Sequence, residues 1–330
     1  MKVLVVGTGS IGERHLRCFQ STGLADVSIC EPNADLRSAV ASRYGVRAAF
    51  ADFDAALAAK PEAVVVAVPA HLHIPLATAA VAAGAHVLIE KPLSTTLDGV
   101  AELEAAVRRR GVVAAAAYTY RAHPALTAMR RAVREGRIGR PVEIVATCGQ
   151  PFAKYRPAYR EIYYKDRRTG GGAVQDALTH ALNAGEWLVG PVDRLVADLD
   201  HQVLDDVTVE DTVHVLARHG GVLGSYSLNQ HQAPNETTIT VIGDAGTARF
   251  EYHAARWRWM TEPDGAWRDE PCGPLERDAL FTTQAASFLA AAEGRADPLC
   301  SLTEAVQTLR VNLAVLESAA QRTWRDLKGE

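Results

Sequence analysis

The stretch that decides the fold of the first half is VLVVGTGSIGERHL, residues 3–16. A strand-like apolar run leads at once into Gly-x-Gly-x-x-Gly and a helical pattern. In this spacing Gly7 permits a tight turn, Gly9 lets a pyrophosphate approach the backbone, and Gly12 allows close packing of helix and strand. The N–H groups at the start of such a helix attract phosphate. The stretch therefore predicts a dinucleotide site with contacts from Gly7, Thr8, Gly9, Ser10, Ile11 and Gly12.

Glu31 supports this interpretation and bears on the choice of dinucleotide. It ends the second predicted strand, nineteen residues after Gly12, where a carboxylate accepts hydrogen bonds from an adenosine ribose. A carboxylate there also repels a 2′-phosphate, and Pro32 and Asn33 follow it in place of a basic cluster. We therefore expect NAD rather than NADP, with nearby Arg37 weakening that preference.

The first half alternates short apolar runs with Ala-rich helical segments. This alternation is typical of a parallel sheet covered by helices on both faces, and six strands complete a dinucleotide-binding domain. We predict an α/β Rossmann domain over residues 1–120. Its predicted strands are KVLVV, VSICE, RAAF, AVVVAV, HVLIE and VVAAAA.

The second half has longer predicted strands, joined by hairpin signals such as HGG, GDAG and PDG. We predict an α+β domain over residues 121–330 with a large, mostly antiparallel open sheet. A helix over about 170–190 is expected to pack on that sheet. Ser301 and Glu304 have the spacing of a capping box, which predicts a last helix over about 301–325.

Composition excludes several classes of protein. A net charge of −4 over 330 residues gives no reason to expect nucleic acid or an anionic membrane as a partner. The five cysteines never fall in a CxxC or other metal-like spacing, which indicates buried thiols of a reducing compartment. The chain begins in a strand and has no apolar run of membrane-spanning length. We expect a cytoplasmic protein without a bound metal.

Polar residues follow the fourth and fifth predicted strands. The carboxyl ends of parallel strands line the ligand crevice of such a sheet, so Glu90 and Lys91 of HVLIEKPLS are expected there, with Pro92 in a cis bond. The turn AVPAHLH contributes Pro69, His71 and His73 as residues bordering the cofactor. No third ligand accompanies the two histidines, which argues against a metal.

The run GGGAVQDALTH, residues 170–180, places an acid and an imidazole on one helical face. Asp176 and His180 are four residues apart, about one turn of helix. The three preceding glycines are expected to let the backbone pass beside cofactor and substrate.

Together these motifs, in this order and spacing, resemble the glucose–fructose oxidoreductase / inositol dehydrogenase (Gfo/Idh/MocA) family over essentially the whole chain. The resemblance implies a Rossmann domain joined to a domain whose large open sheet usually mediates oligomerisation, hence a homodimer or homotetramer. It also implies that Lys91 of the EKP motif and Asp176 and His180 of the DxxxH helix face the nicotinamide. The implied substrate is a sugar, cyclitol or sugar derivative.

The chemistry of these three residues agrees with alcohol oxidation. An imidazole with a reference pKa of about 6.5 suits proton transfer at neutral pH, and an ammonium stabilises a developing alkoxide. We assign His180 as general acid/base, Lys91 as the donor that polarises the oxygen, and Asp176 as the orienting carboxylate. Either Lys91 or His180 can be the primary proton carrier.

Further candidates surround this set. Tyr120 and Arg121 of YTYRAHP contact cofactor or substrate, or else pack between the domains. The segment before the glycines is rich in Tyr, Arg and Lys, which suits polyol hydroxyls or an anionic group. Its candidate substrate contacts are Tyr155, Arg156 and Tyr163, with Lys154 and Tyr164 as weaker ones. His231 and Asn235 of NQHQAPNE, near a strand end, are further weak candidates. Trp257 and Trp259, on one strand, indicate a packed or inter-subunit face.

Three functions compete on this sequence. The leading one is an NAD(P)-dependent dehydrogenase. The second is a glycosidase or lyase, because some members of the resembled family retain NAD and cleave a glycosidic bond by transient oxidation. Such an enzyme would show no net change in nicotinamide absorbance. A nucleotide-binding regulator without catalysis is the third, and the presence of Lys91, Asp176 and His180 argues against it.

Overall fold

The computed structural model describes residues 1–327, which divide into two compact units. The first comprises Met1–Ala122 and Glu276–Val306, and the second comprises His123–Leu275 and the described residues from Gln307 on. The break after Ala122 lies close to the boundary predicted near residue 120. Residues 276–306 differ from the prediction, because they belong to the first unit.

The first unit contains a six-stranded parallel sheet in the order β3-β2-β1-β4-β5-β6. All six predicted strands are present, which confirms the Rossmann fold. The strands are β1 Lys2–Val6, β2 Asp26–Cys30, β3 Ala49–Phe50, β4 Ala63–Val66, β5 His86–Ile89 and β6 Ala114–Ala116. The helices between them are α1 Ser10–Ser21, α2 Ala34–Tyr44, α3 Phe53–Ala58, α4 His73–Ala82 and α5 Val100–Arg110.

The second unit contains a nine-stranded sheet in the order β14-β13-β12-β11-β7-β10-β9-β8-β15. Among its strands within residues 1–327, only β7 and β10 pair in parallel, which confirms a mostly antiparallel sheet. Its strands are β7 Pro141–Gly149, β8 Arg194–Asp200, β9 Thr212–His219, β10 Val222–Asn229, β11 Glu236–Gly243, β12 Gly246–Glu251, β13 Arg256–Met260, β14 Arg268–Pro271 and β15 Arg325–Asp326. The first helices of this unit are α6 Pro124–Arg134, α7 Phe152–Tyr155 and α8 Thr179–Val189.

Helix α9, Ala279–Ala292, explains why residues 276–306 belong to the first unit. Asp278 accepts hydrogen bonds of 2.6 and 2.9 Å from Arg17 on α1. Phe288 and Leu289 join the buried core that includes Phe19 and the strands of the parallel sheet. An amphipathic helix packs where its apolar face is covered, and here that cover is α1.

The last helix, α10, spans Leu302–Gln321 and ends earlier than predicted. The expected capping box is present, since Ser301 Oγ and Glu304 Oε2 lie 2.8 Å apart and the Glu304 N–H points back to Ser301 Oγ at 3.3 Å. The helix stops short of residue 325 because Arg325–Asp326 pairs with β8 as the edge strand β15.

No helix within residues 1–327 combines the length and apolar character that a membrane span requires. The five cysteines carry free thiols, of which only that of Cys272 is partly exposed. Among the same described residues, no three His, Cys, Asp or Glu side chains are grouped as they would be around a metal ion.

Candidate active site

The turn between β1 and α1 has the shape of a phosphate cradle. Gly7 has a φ of +81°, and a Cβ there would lie 2.7 Å from the Ala67 carbonyl oxygen. A Cβ at Gly12 would overlap the carbonyl of Gly7, whereas Gly9 faces open space. No side chain caps the first N–H groups of α1, which are the groups that bind a pyrophosphate. The turn therefore fits a dinucleotide.

Glu31 lies at the end of β2 and is 8% exposed. Its Oε2 accepts the Thr8 N–H at 2.9 Å, and its Oε1 accepts the Asn33 N–H at 3.0 Å. Arg37 donates to the main-chain carbonyls of Glu31 and Pro32 at 2.6 and 3.2 Å. The carboxylate is thus fixed beside the cradle, and the Arg37 guanidinium is bound to main-chain oxygens.

Glu90 and Lys91 follow β5, on the same sheet edge as the cradle, and the Lys91–Pro92 bond is cis as expected. Glu90 is buried and accepts the Lys91 N–H at 3.0 Å. Its other oxygen lies 2.6 Å from Nε2 of His15 on α1, whose side chain is 1% exposed. His15 was not among the predicted residues. It joins the phosphate-binding helix to the peptide that carries Lys91.

The Glu90–His15 pair makes stability depend on acidity. Burial alone would raise the pKa of Glu90, but the hydrogen bond and charge of His15, with Lys91, hold it below its ordinary 4.5. A lowered pKa means stabilisation that is complete above pH 4.5 and is lost as the pH falls through the folded-state value. We expect Glu90→Gln to lower the thermal midpoint, by the same amount at every pH near neutral. Below pH 4.5 the midpoints of variant and wild type should approach each other.

Thermal unfolding followed by circular dichroism at several pH values checks this expectation. Glu62→Gln, at an exposed glutamate of the same unit, is the control for loss of a surface carboxylate. A Glu90→Gln difference that stays constant into strongly acidic solution would contradict the assignment.

The turn after β4 holds Pro69 and His71 exposed and His73 buried. The ring nitrogens of His73 lie 3.0 Å from the Pro92 carbonyl oxygen and 2.8 Å from that of Val68. Burial lowers the pKa of His73, while its contacts with these two carbonyls act in the opposite direction. His73 therefore ties the loop after β4 to the loop after β5.

Asp176 and His180 are both partly exposed, Asp176 just before α8 and His180 in its first turn. The predicted helical turn differs in kind, because Val174–Leu178 forms a π turn with i→i+5 bonds. Such turns are rare and occur often at functional sites. Asp176 Oδ1 accepts a hydrogen bond of 2.8 Å from the hydroxyl of Tyr163. The structure thus brings together two of the residues predicted for the substrate.

Contacts within the chain itself account for the glycine triplet, and its passage beside cofactor and substrate stays a prediction. Gly170 and Gly172 have φ values of +97° and +88°. A Cβ at Gly171 would overlap the carbonyl oxygen of Tyr164, and one at Gly172 would lie 2.5 Å from Glu210 Oε1. Close approach within the chain therefore requires glycine at 171 and 172, and the left-handed backbone favours it at 170.

Two buried hydrogen bonds hold α8 against α10. Asn312 donates to Thr179 Oγ1 at 2.8 Å, and Asn183 donates to Thr308 Oγ1 at 2.9 Å. Because Thr179 adjoins His180, the first bond fixes the helix where the imidazole leaves it.

The remaining predicted residues divide into buried and exposed groups. Arg121 is 2% exposed and donates to the Leu299 carbonyl at 3.0 Å and to Glu304. These contacts favour a packing role for Arg121. They do not support its predicted contact with the cofactor, which stays a prediction. Tyr164 is also buried, and its hydroxyl donates to Gln230.

The exposed candidates are Lys154, Tyr155, Arg156, His231 and Asn235, with Tyr120 partly exposed. His231 lies 3.0 Å from Thr212 Oγ1. Trp257 is packed as expected, and the guanidinium of Arg137 lies 5.7 Å from the Trp257 ring centroid and 5.0 Å from that of Trp259.

Comparison with known proteins identifies matches over both units. Residues 1–118 match the model of an oxidoreductase family with an NAD-binding Rossmann fold, and residues 126–249 match the Gfo/Idh/MocA C-terminal domain. The chain is 25% identical to levoglucosan dehydrogenase of Pseudarthrobacter phenanthrenivorans, over 99% of this chain and 98% of that protein. It is 31% identical to inositol 2-dehydrogenase 1 of Saccharopolyspora erythraea, over 91% of this chain and 96% of that protein.

A solved structure of levoglucosan dehydrogenase in complex with NADH and levoglucosan has the same fold. The TM-score is 0.89 at 24% identity, over 99% of both chains.

Proposed function

The chain belongs to the Gfo/Idh/MocA family of oxidoreductases, and from that membership we propose that it is an NAD-dependent dehydrogenase of a sugar, cyclitol or sugar derivative. One observation carries the proposal. Within the first unit, the edge of the sheet that presents the phosphate cradle also presents Lys91, directly after β5. A regulator that only bound nucleotide would have no use for a partly exposed ammonium at that edge.

The residues of the chain divide the work of oxidising a secondary alcohol. Bound NAD supplies the hydride acceptor. The Lys91 ammonium stabilises negative charge on the alcohol oxygen, and the His180 imidazole takes the hydroxyl proton. Asp176 accepts a hydrogen bond from the Tyr163 hydroxyl and orients the sugar by accepting another from a sugar hydroxyl next to the reacting one. The exposed Tyr155, Arg156 and Tyr163 contact the rest of the sugar ring.

The test is the absorbance of reduced cofactor across a panel of polyols and sugars, with inositol and levoglucosan first because relatives are named for them. A substrate-dependent rise supports the dehydrogenase. Cleavage of a glycoside without net absorbance change would overturn it in favour of transient oxidation.

We expect NAD to be preferred to NADP by about a hundredfold in kcat/KM, because a 2′-phosphate beside Glu31 is a like-charge contact that costs several kcal/mol. Glu31→Ala is expected to lower the ratio of kcat/KM for NAD to kcat/KM for NADP, mainly by raising KM for NAD. Asp35→Ala, which removes an exposed carboxylate in the first turn of α2, is the control. Steady-state kinetics with both cofactors decides, and equal use of the two by the wild type would refute the assignment of Glu31.

We also propose that the protein forms homo-oligomers through the open face of its nine-stranded sheet. Leu216 on β9 and Leu223 on β10 are 55% and 49% exposed and lie on one face of that sheet. Apolar side chains placed together on a surface favour a protein interface. Light scattering during size-exclusion chromatography should show a dimer or tetramer that the double substitution Leu216→Glu and Leu223→Glu dissociates. A monomeric wild type would reject this proposal.

We also propose that the protein acts in the cytoplasm, because five free thiols are typical of a reducing compartment.

A further inference from the structure

Glu210, just before β9, contacts both the glycine triplet and the π turn that carries Asp176 and leads into α8. Its side chain is 0% exposed. A carboxylate completely removed from water is costly unless every lone pair finds a donor. The partners of Glu210 therefore indicate why the residue is there.

Those partners come from the two segments on either side of the glycines. Glu210 Oε1 accepts the N–H of Val174, the first residue of the π turn, at 3.0 Å. Its Oε2 accepts Nε and Nη2 of Arg167, each at 2.7 Å, and its main-chain oxygen accepts the Ala173 N–H at 2.9 Å. A negative charge on the first N–H groups of a helix stabilises that helix end.

Gly172 makes room for this arrangement. Any side chain there would meet the carboxylate of Glu210, at 2.5 Å for a Cβ, on a backbone with φ +88°. Glycine at position 172 thus leaves room for the Glu210 carboxylate. That carboxylate in turn holds Val174, where the π turn starts.

Both ends of the Tyr163–Asp176 hydrogen bond lie on the segments that these contacts hold. Asp176 lies two residues after Val174, and Tyr163 lies four residues before Arg167 on the segment that Arg167 anchors. We propose that Glu210 is a positioning residue: by holding Val174 and Arg167 it sets the distance between Tyr163 and Asp176, and so the carboxylate that orients the substrate. This inference rests on the function proposed above only for its effect on catalysis.

A double-mutant cycle tests the inference. We expect Glu210→Gln to lower kcat/KM for the sugar at least about tenfold, since a displacement of about 1 Å at a reacting centre costs up to about a hundredfold. The dissociation constant of NAD should be unchanged. If Glu210 acts through the Tyr163–Asp176 bond, adding Tyr163→Phe to Glu210→Gln will cost little more than either change alone. Fully additive losses, or wild-type kcat/KM in Glu210→Gln, would overturn the proposal.

Asp211→Asn is the matched control. Asp211 is the next residue, is equally buried, and accepts main-chain N–H groups of Gln202, Val203 and Leu204 at 2.7–3.0 Å. We expect this variant to lower the thermal midpoint and to keep kcat/KM within about twofold. Should Glu210→Gln fail to fold, Arg167→Met, at a side chain 46% exposed, takes its place in the cycle.

Crystal structures of the wild type and the Glu210 variant give a readout that needs no activity. The Tyr163 hydroxyl to Asp176 Oδ1 distance of 2.8 Å should lengthen beyond hydrogen-bonding reach, about 3.5 Å. An unchanged distance rejects the positioning role. If the distance lengthens but the wild type oxidises none of the polyols and sugars tested, the positioning role of Glu210 stands and the proposed dehydrogenase activity is rejected.

Discussion

Replacing Lys91 with methionine is expected to lower kcat for alcohol oxidation by about a thousandfold, because one preorganised donor on a developing oxyanion contributes about 10²–10³ in rate and the lysine carries a full charge. Methionine keeps the unbranched apolar stem and removes only the ammonium. The dissociation constant of NAD should change less than about threefold, since the cradle and Glu31 lie on other strands.

Stopped-flow measurement of cofactor reduction, with NAD affinity from fluorescence quenching, separates the two effects. Lys2→Met is the control, at an exposed lysine of the same unit. If Lys91→Met keeps more than about a tenth of the wild-type kcat, the lysine does not stabilise the reacting oxygen.

His180→Asn is the second large effect, with an expected loss in kcat of about a thousandfold, within the 10²–10⁴ range of a lost general base. Asparagine can still donate and accept hydrogen bonds but cannot take a proton near neutral pH. Because Thr179 and Asn312 hold the adjoining turn of α8, the helix should remain in place and the thermal midpoint should change little.

The matched control is His253→Asn, at an exposed histidine of the same unit. Kinetics of His180→Asn beside Lys91→Met also decide which residue carries the proton. Loss of turnover in the lysine variant together with nearly normal turnover in the histidine variant would assign the proton to Lys91.

Most of the fold was predictable because its signals are local. Each strand of the parallel sheet is a short apolar run, and Gly45 and Gly111 end α2 and α5 in the left-handed conformation that favours glycine. The place of α9 was not predictable, since an apolar helical face does not say which helix will cover it. The strand β15 was missed because two residues carry no periodicity.

The candidate site divides in the same way. The cradle, Glu31 and the EKP motif stand in short patterns whose physical meaning is contained in a few neighbouring residues. His15 and Glu90 are 75 residues apart, and Glu210 and Val174 are 36 apart. No spacing rule joins such pairs, and nothing in VQDAL distinguishes a π turn from an ordinary one.

The return of residues 276–306 to the first unit means that no single cleavage of the polypeptide separates the two halves intact. A fragment truncated after residue 122 would leave Phe19 without Phe288 and Leu289, and its unshielded apolar surface would promote aggregation. Only a fragment that carries the later segment on a tether preserves the nucleotide-binding half for independent study.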